Sequence, residues 1–377
     1  MKIGLDISQT CAERAGCAWY ADSLARAMIS IAPTQQFLLY HQFAGWINET
    51  TEKGTHVEAP NVACPFDKVP PQEARKIWAS QGLLGKYLGA PDIIHAMSYQ
   101  APKVHGSKLV FTVYDLSFWQ VPEFTTEENR LACEAGILHA MRNADGLIFI
   151  SESMLHEFNK LFPDWLSSHH MPHIAIPLAP RFQVIDSKKE SPKADHEYWL
   201  AVGSLEPRKN YETIFSAYEQ YAKMSKKPAP LWIAGGEGWR GEKIKARISE
   251  LQKTGRVRRL GYVPDEQMPS LMAGAKALLF PSWYEGFGLP VVEALACGCP
   301  VICSNTTSLP EAGGSAARYV APGDAAGIAK EMLEIERVPA DVKKRKLAGT
   351  QHVSKFSWAT CAEKTLAFYQ EVVSNHK

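Results

Sequence analysis

Long apolar runs are missing from this sequence. No uninterrupted stretch approaches the roughly 20 residues that span a bilayer, so no transmembrane helix is expected. Lys2 to Ile7 passes directly into a strand pattern, without the charged-then-apolar layout of a signal peptide, and the expected location is cytoplasmic. The eight cysteines are scattered, and Cys297-x-Cys299 has no second pair at zinc-finger spacing. Buried thiols are therefore expected rather than a metal site or a disulfide framework. No Asp-x-Asp occurs, so a carboxylate-bound divalent metal is not indicated. A dinucleotide fingerprint with an acid about 20 residues beyond it is absent as well, which argues against NAD. Nor is there a strong charge excess. The net charge of +1 is far from the basic footprint of a nucleic-acid binder.

What remains is an ordinary globular composition, 46% hydrophobic and 21% charged, in a chain of 377 residues that fits two domains. Short apolar runs alternate with helical patterns, which argues for α/β domains with parallel sheets covered by helices. Strands are predicted at 3–7, 37–40, 93–95, 109–113, 147–150 and 174–176 in the first half. They resume at 198–202, 231–234, 257–260, 277–280 and 301–303. Residues 184–195 are polar and aperiodic and read as a linker. The expected domains are 1–183 and 196–357, followed by an amphipathic helix at 358–377. Up to Pro180 the chain has 13 basic and 18 acidic residues, a balance of −5; the rest, with 28 and 22, stands at +6. An anionic ligand held mainly by the C-terminal half would fit that asymmetry.

The most informative stretch is 281–293, Pro-Ser-Trp-Tyr-Glu-Gly-Phe-Gly-Leu-Pro-Val-Val-Glu. A buried strand precedes it and a helix follows, with Pro290 suited to the helix start. Gly286 and Gly288 allow close backbone approach to a ligand, and the helix start favours an anion such as a diphosphate. Glu285 in the loop and Glu293 one turn inside the helix are placed to bracket one ligand and accept hydrogen bonds from its hydroxyls. Together with Ala-Cys-Gly-Cys-Pro-Val-Ile after it, this stretch closely resembles the signature of the retaining glycosyltransferases of family 4, which have the GT-B fold of two doubly wound Rossmann-like domains facing across a cleft. The resemblance implies that Glu285 contacts the transferred sugar and Glu293 the ribose, with Phe287 and Leu289 in the donor-binding turn. It also implies that the last helix packs back toward the first domain.

Gly203-Ser-Leu-Glu-Pro-Arg-Lys-Asn210 follows the first strand of the second half. It puts cations at the sheet's carboxyl edge, where a departing diphosphate needs them. The stretch resembles the family's phosphate loop, with Lys209 on its lysine position. Ser204 stands where many relatives have a second cation, and Arg208 is the candidate substitute. Gly261-Tyr-Val-Pro-Asp265 resembles the base-reading loop, which assigns Val263 there. In the first half, Gly16 resembles the glycine loop beside the donor phosphate. Tyr114-Asp115 resembles the family's His-Asp dipeptide near the reacting sugar; the family position suggests contact with the hydroxyl on carbon six, so the tyrosine is expected to donate a hydrogen bond there but not to act as a base. His95 reads equally as a cleft residue or a satisfied core histidine. Residues 75–88 mix basic and aromatic side chains, and an ordinary amphipathic helix is favoured over a membrane-docking one.

The resemblance thus implies a retaining hexosyltransferase using a nucleoside diphosphate sugar, and with no Asp-x-Asp present neither a metal nor a cofactor is expected. The expected catalytic residues are Glu285, Lys209, Asp115 and Tyr114. Its style resembles bacterial mannosyltransferases of O-antigen, lipopolysaccharide and polysaccharide assembly, which points to GDP-mannose and to a glycan or lipid-linked acceptor, with peripheral contact at the inner membrane left open. A nucleotide-sugar epimerase or hydrolase and a non-catalytic GT-B partner subunit are the rival readings.

Overall fold

Strands made almost wholly of apolar residues need cover on both faces, and a parallel sheet between helices supplies it. A computed structural model describes residues 1–12, 16–80, 84–182 and 198–374 and contains two such sheets. The first runs through β1 (Lys2–Asp6), β2 (Gln36–Tyr40), β3 (Val62–Ala63), β4 (Ile93–Ala96), β5 (Lys108–Val113), β6 (Gly146–Phe149) and β7 (His173–Ala175). The second comprises β8 (Tyr198–Val202), β9 (Leu231–Ala234), β10 (Val257–Gly261), β11 (Ala275–Phe280), β12 (Val301–Ser304) and β13 (Arg318–Val320). Their spatial orders are 3-2-1-4-5-6-7 and 10-9-8-11-12-13, and the neighbours pair in parallel. Each sheet therefore reverses its winding at its first strand, between β1 and β4 and between β8 and β11. The crevice outside the carboxyl ends of the strands at such a point is where doubly wound sheets bind ligands.

The chain divides into two compact units. The first contains residues 1–116, 128–178 and 357–377; the second contains 117–127 and 179–356. The expected linker at 184–195 lies outside the described residues. Residues 117–127 depart from the expected first domain and group with the second unit. Phe124 stacks with Trp283 at 6.3 Å between ring centres, and the Glu123 carbonyl accepts a hydrogen bond from Arg240.

In the first unit the helix Trp358–Ser374 lies against β6. A Cβ on Gly146 would come within 2.8 Å of Val372 and 2.9 Å of Phe368, so the missing side chain sets that close approach. The same helix brings the Tyr369 hydroxyl within 2.6 Å of His95 Nδ1, while His95 Nε2 contacts Thr112 Oγ1 at 2.6 Å. Burial pushes His95 down to about 3. It is a neutral, satisfied core histidine and does not line a ligand site.

In the second unit, Trp199, Leu231, Ile233, Leu279 and Ile302 from the strands meet Phe215, Tyr221, Ile248 and Met332 from the helices in one buried core. Two strands were not foreseen, β3 and β13. Both are short edge strands, two and three residues long, with too little alternation to stand out as a pattern. In the 75–88 region, Trp78 of the helix Pro71–Ala79 stacks on Phe66 at 5.8 Å and donates to the Gln42 carbonyl. This tryptophan faces its own unit, as an ordinary amphipathic helix requires. No helix among the described residues is long and apolar enough to cross a membrane.

Candidate donor site at the carboxyl edge of the second sheet

The loops after β8 and β11 meet at the reversal point of the second sheet. Gly203 ends β8 with φ 145° and Gly235 follows β9 with φ 150°. A Cβ on Gly235 would sit 1.9 Å from the Gly203 carbonyl oxygen, so only glycine allows these loops to touch. Pro207–Lys209 then forms a single tight turn, closed by Asn210 in the left-handed conformation at φ 60°. The Asn210 amide donates to the carbonyls of Pro281 and Pro322 at 2.8 and 2.6 Å, tying the turn to the loops after β11 and β13.

This tie brings the predicted cations onto the predicted acid. Lys209 Nζ lies 2.7 Å from Glu285 Oε1, and Arg208 Nη1 lies 3.1 Å from Glu285 Oε2. Arg208 also reaches Glu206 at 2.7 Å and the Tyr284 carbonyl at 2.7 Å. Glu285 is 7% exposed. Burial would raise its carboxyl, but the Lys209 and Arg208 charges overcome burial and hold it down at about 2. The Glu285 backbone is pinned as well. Its N–H donates to Thr307 Oγ1 at 3.2 Å, and its carbonyl accepts from Ser308 Oγ at 2.8 Å.

Gly286, Phe287 and Gly288 are all buried, and Gly288 caps the helix Leu289–Ala296 with φ 108°. Its missing Cβ would meet Leu309 at 2.7 Å. Phe287 packs edge-on against Phe356 at 5.7 Å. Pro290 occupies the second helical position rather than the first, equally harmless to the hydrogen-bond ladder. Val263 lies half-buried in the loop after β10.

Glu293 sits one turn into that helix and is 1% exposed. Arg181 grips it bidentately, Nε to Oε1 at 2.5 Å and Nη2 to Oε2 at 3.0 Å, and reaches Asp265 with Nη1 at 2.8 Å. The two acids of the signature thus each meet a cation of the same unit. The sequence argument missed Arg181, Asp265, Glu206, Thr307 and Ser308. Glu206 and Asp265 lay within stretches already singled out, whereas Arg181 carried no motif.

Gly16, Tyr114 and Asp115 belong to the first unit. Gly16 opens the helix Gly16–Ile31, is exposed, and has nothing within 4 Å of where a Cβ would stand. Asp115 lies beyond the carboxyl end of β5. Tyr114 is 5% exposed, and its hydroxyl donates to the Met97 carbonyl at 2.6 Å. Met97 N–H in turn donates to Asp6 at 3.2 Å. The one phenolic proton is therefore engaged inside the unit, and donating it to a sugar would require breaking that bond.

A family profile described as glycosyl transferases group 1 matches residues 183–351. The O-antigen chain mannosyltransferase B of Escherichia coli is 30% identical over 294 residues, covering 74% of each chain. The serotype-specific mannosyltransferase WbdA of Escherichia coli is 28% identical over 249 residues, 64% of this chain and 30% of that protein. Sucrose-phosphate synthase from Thermosynechococcus elongatus superposes with a TM-score of 0.73 at 21% identity, covering 99% of both chains. The expected fold class, two parallel-sheet Rossmann-like domains of the GT-B type, is borne out.

Proposed function

Since the chain belongs to the glycosyl transferases group 1 family, we propose that this glycosyltransferase moves mannose from GDP-mannose to a hydroxyl of a glycan or lipid-linked acceptor in bacterial O-antigen or polysaccharide assembly. The transfer retains the anomeric configuration and uses no metal at the diphosphate. Breaking the bond from C1 to the diphosphate leaves negative charge on phosphate oxygens. The acceptor oxygen bonds to C1, and its proton passes to the departing phosphate.

The observation that carries this reading is the convergence of Lys209 and Arg208 on Glu285 at the reversal point of the second sheet. Cations held there by a buried acid are oriented before any ligand arrives, and preorganised charge is what a leaving diphosphate gains most from. The start of the helix Leu289–Ala296 adds a positive dipole end. Glu293 uses two of its roughly four lone-pair positions on Arg181; the remainder suit ribose hydroxyls. The mannosyltransferases among the relatives favour mannose as the sugar, and the family resemblance favours retention.

The test is an assay of nucleoside diphosphate sugars with and without lipid-linked glycan acceptors, reading product anomer by NMR. GDP-mannose should give an α-linked product only when acceptor is present, at a rate that added Mg²⁺ or Mn²⁺ leaves unchanged. Consumption of donor without acceptor would favour the epimerase or hydrolase reading. A requirement for either metal would overturn the metal-free diphosphate site. Glu293→Gln should chiefly raise the donor KM and Glu285→Gln chiefly lower kcat; the reverse pattern overturns the two roles.

A further inference from the structure

Away from the donor residues, the first unit gathers four metal-ligating side chains beyond the carboxyl ends of β2 and β3. His41 directly follows β2 and Cys64 directly follows β3, and these strands pair in parallel with Phe37 opposite Val62 and Leu38 opposite Ala63. Asp67 lies one tight turn after Cys64, its N–H 3.3 Å from the Cys64 carbonyl. One ligand atom each from His41, Cys64 and Asp67 lies within 4.8 Å of the other two. His56 adds a second imidazole, stacked on His41 at 4.6 Å between ring centres.

The two rings are oriented alike. His41 Nε2 faces the Thr55 carbonyl at 3.0 Å, and His56 Nε2 faces the Thr51 carbonyl at 3.0 Å. A carbonyl only accepts, so each Nε2 carries a proton, and the neutral form of each ring keeps its lone pair on Nδ1. That is how metal-binding histidines are commonly held, the far nitrogen donating to a backbone oxygen. Both Nδ1 atoms turn to Asp67, at 2.7 Å from Oδ1 for His41 and 3.8 Å from Oδ2 for His56. His41 is fully buried, yet neither its Nδ1 nor Asp67 Oδ1 makes an aligned hydrogen bond among the described residues. With the ring neutral, two acceptors face each other across a short gap, a place for a cation.

We propose that His41, Cys64 and Asp67, joined by His56, bind one zinc-class divalent cation that clasps the carboxyl ends of β2 and β3. A mixed nitrogen, sulfur and oxygen set suits tetrahedral Zn²⁺ better than the hard cations, which take oxygen alone. Zinc bonds of about 2.0–2.3 Å set ligand atoms roughly 3.3–3.7 Å apart, so the cluster closes by about 1 Å at its widest. The His41–Asp67 contact, now 2.7 Å, opens by about 0.6 Å to reach that spacing. Binding displaces the Cys64 proton to solvent. The same residue types could instead suggest a thiol nucleophile. Burial, with the Asp67 charge added, pushes the Cys64 thiol up to about 11, the opposite of activation. The cation's work is structural. β3 is a two-residue edge strand, and the clasp fixes it beside the aromatic layer of Phe43, Phe66 and Trp78.

Metal content of the untagged protein, purified without chelator, should show one zinc per chain by mass spectrometry of the digested metal. After stripping and dialysis, Co²⁺ alone should give tetrahedral visible bands and a near-ultraviolet thiolate charge-transfer band, and Zn²⁺ should abolish both and raise the Tm. Cys64→Ser should lose the charge-transfer band, and Asp67→Asn should lower the metal content. A wild-type chain that takes up neither ion stoichiometrically overturns the site, as does a Cys64→Ser protein with undiminished thiolate absorption. The wild-type spectrum decides the matter even if a variant fails to fold.

Discussion

Glu285 and Glu293 stand eight residues apart in one signature, but their surroundings are built in different ways. Glu285 meets Lys209 and Arg208, which sit in a turn beside the first strand of the second sheet. Glu293 meets Arg181, 112 residues earlier, at the edge of the described part of the second unit. The first acid is held in a cluster of two cations and two acids and is 7% exposed; the second, at 1%, depends on one guanidinium shared with Asp265. A cluster with two cations around its buried acid can turn one of them to a ligand's phosphates. A bidentate pair with little to spare mainly keeps a buried charge tolerable and aims its remaining lone pairs.

That contrast makes Arg181 the most damaging position to truncate. Arg181→Ala leaves Glu293 as a buried charge without its bidentate partner, and breaking such a pair costs about 3–5 kcal/mol. Unfolding by urea should move to markedly lower concentration, and adding Glu293→Gln should recover part of the loss by removing the stranded charge. An Arg181→Ala protein as stable as the wild type would mean that the pair does not hold Glu293.

Lys209→Ala tests the other half of the comparison. One preorganised contact to developing charge is worth roughly 3–4 kcal/mol in the transition state, so kcat should fall by about two to three orders of magnitude, with donor binding changed far less. A raised KM at unchanged kcat would make Lys209 a ground-state binding residue and the cluster a docking site only.

Acid tests the Glu285 cluster with smaller force. The folded carboxyl of Glu285 is depressed from 4.5 to about 2, so it contributes stability that is fully present above pH 4.5 and is lost as pH falls toward 2. The difference of about 2.5 units corresponds to something on the order of 3 kcal/mol. Glu285→Gln should flatten that part of the stability profile. A variant whose acid unfolding parallels the wild type would show that other carboxylates govern it.

Both the fold and the Glu285 half of the site were legible in the sequence, for local reasons. Apolar runs such as Leu231–Ala234 and Tyr198–Val202 announce strands by themselves, and Glu-Gly-Phe-Gly-Leu-Pro announces a strand–turn–helix. Lys209 and Arg208 stood out because the turn carrying them follows a strand. Arg181 did not, because its meaning lies in a partner over a hundred residues away. The His41, His56, Cys64 and Asp67 group was hidden for the same reason. Its spacing matches no paired-cysteine pattern, and its members converge only once β3, itself too short to see, pairs with β2.

The smallest effect belongs to Tyr114. Its replacement of histidine suggested a hydrogen bond to the sugar, yet its hydroxyl donates inward to Met97, whose own N–H holds Asp6. Tyr114→Phe keeps the ring, which packs edge-on against Tyr20 at 5.4 Å, and deletes only the proton that Met97 accepts. The loss should be about 0.5–1.5 kcal/mol of stability, the net value of one neutral hydrogen bond. It should appear as a lowered Tm with kcat/KM reduced equally on the true donor and on its 6-deoxy analogue, because the deleted bond does not touch the sugar. If the variant loses activity on the full donor alone, the phenol turns outward during turnover, and Tyr114 does reach the hydroxyl on carbon six.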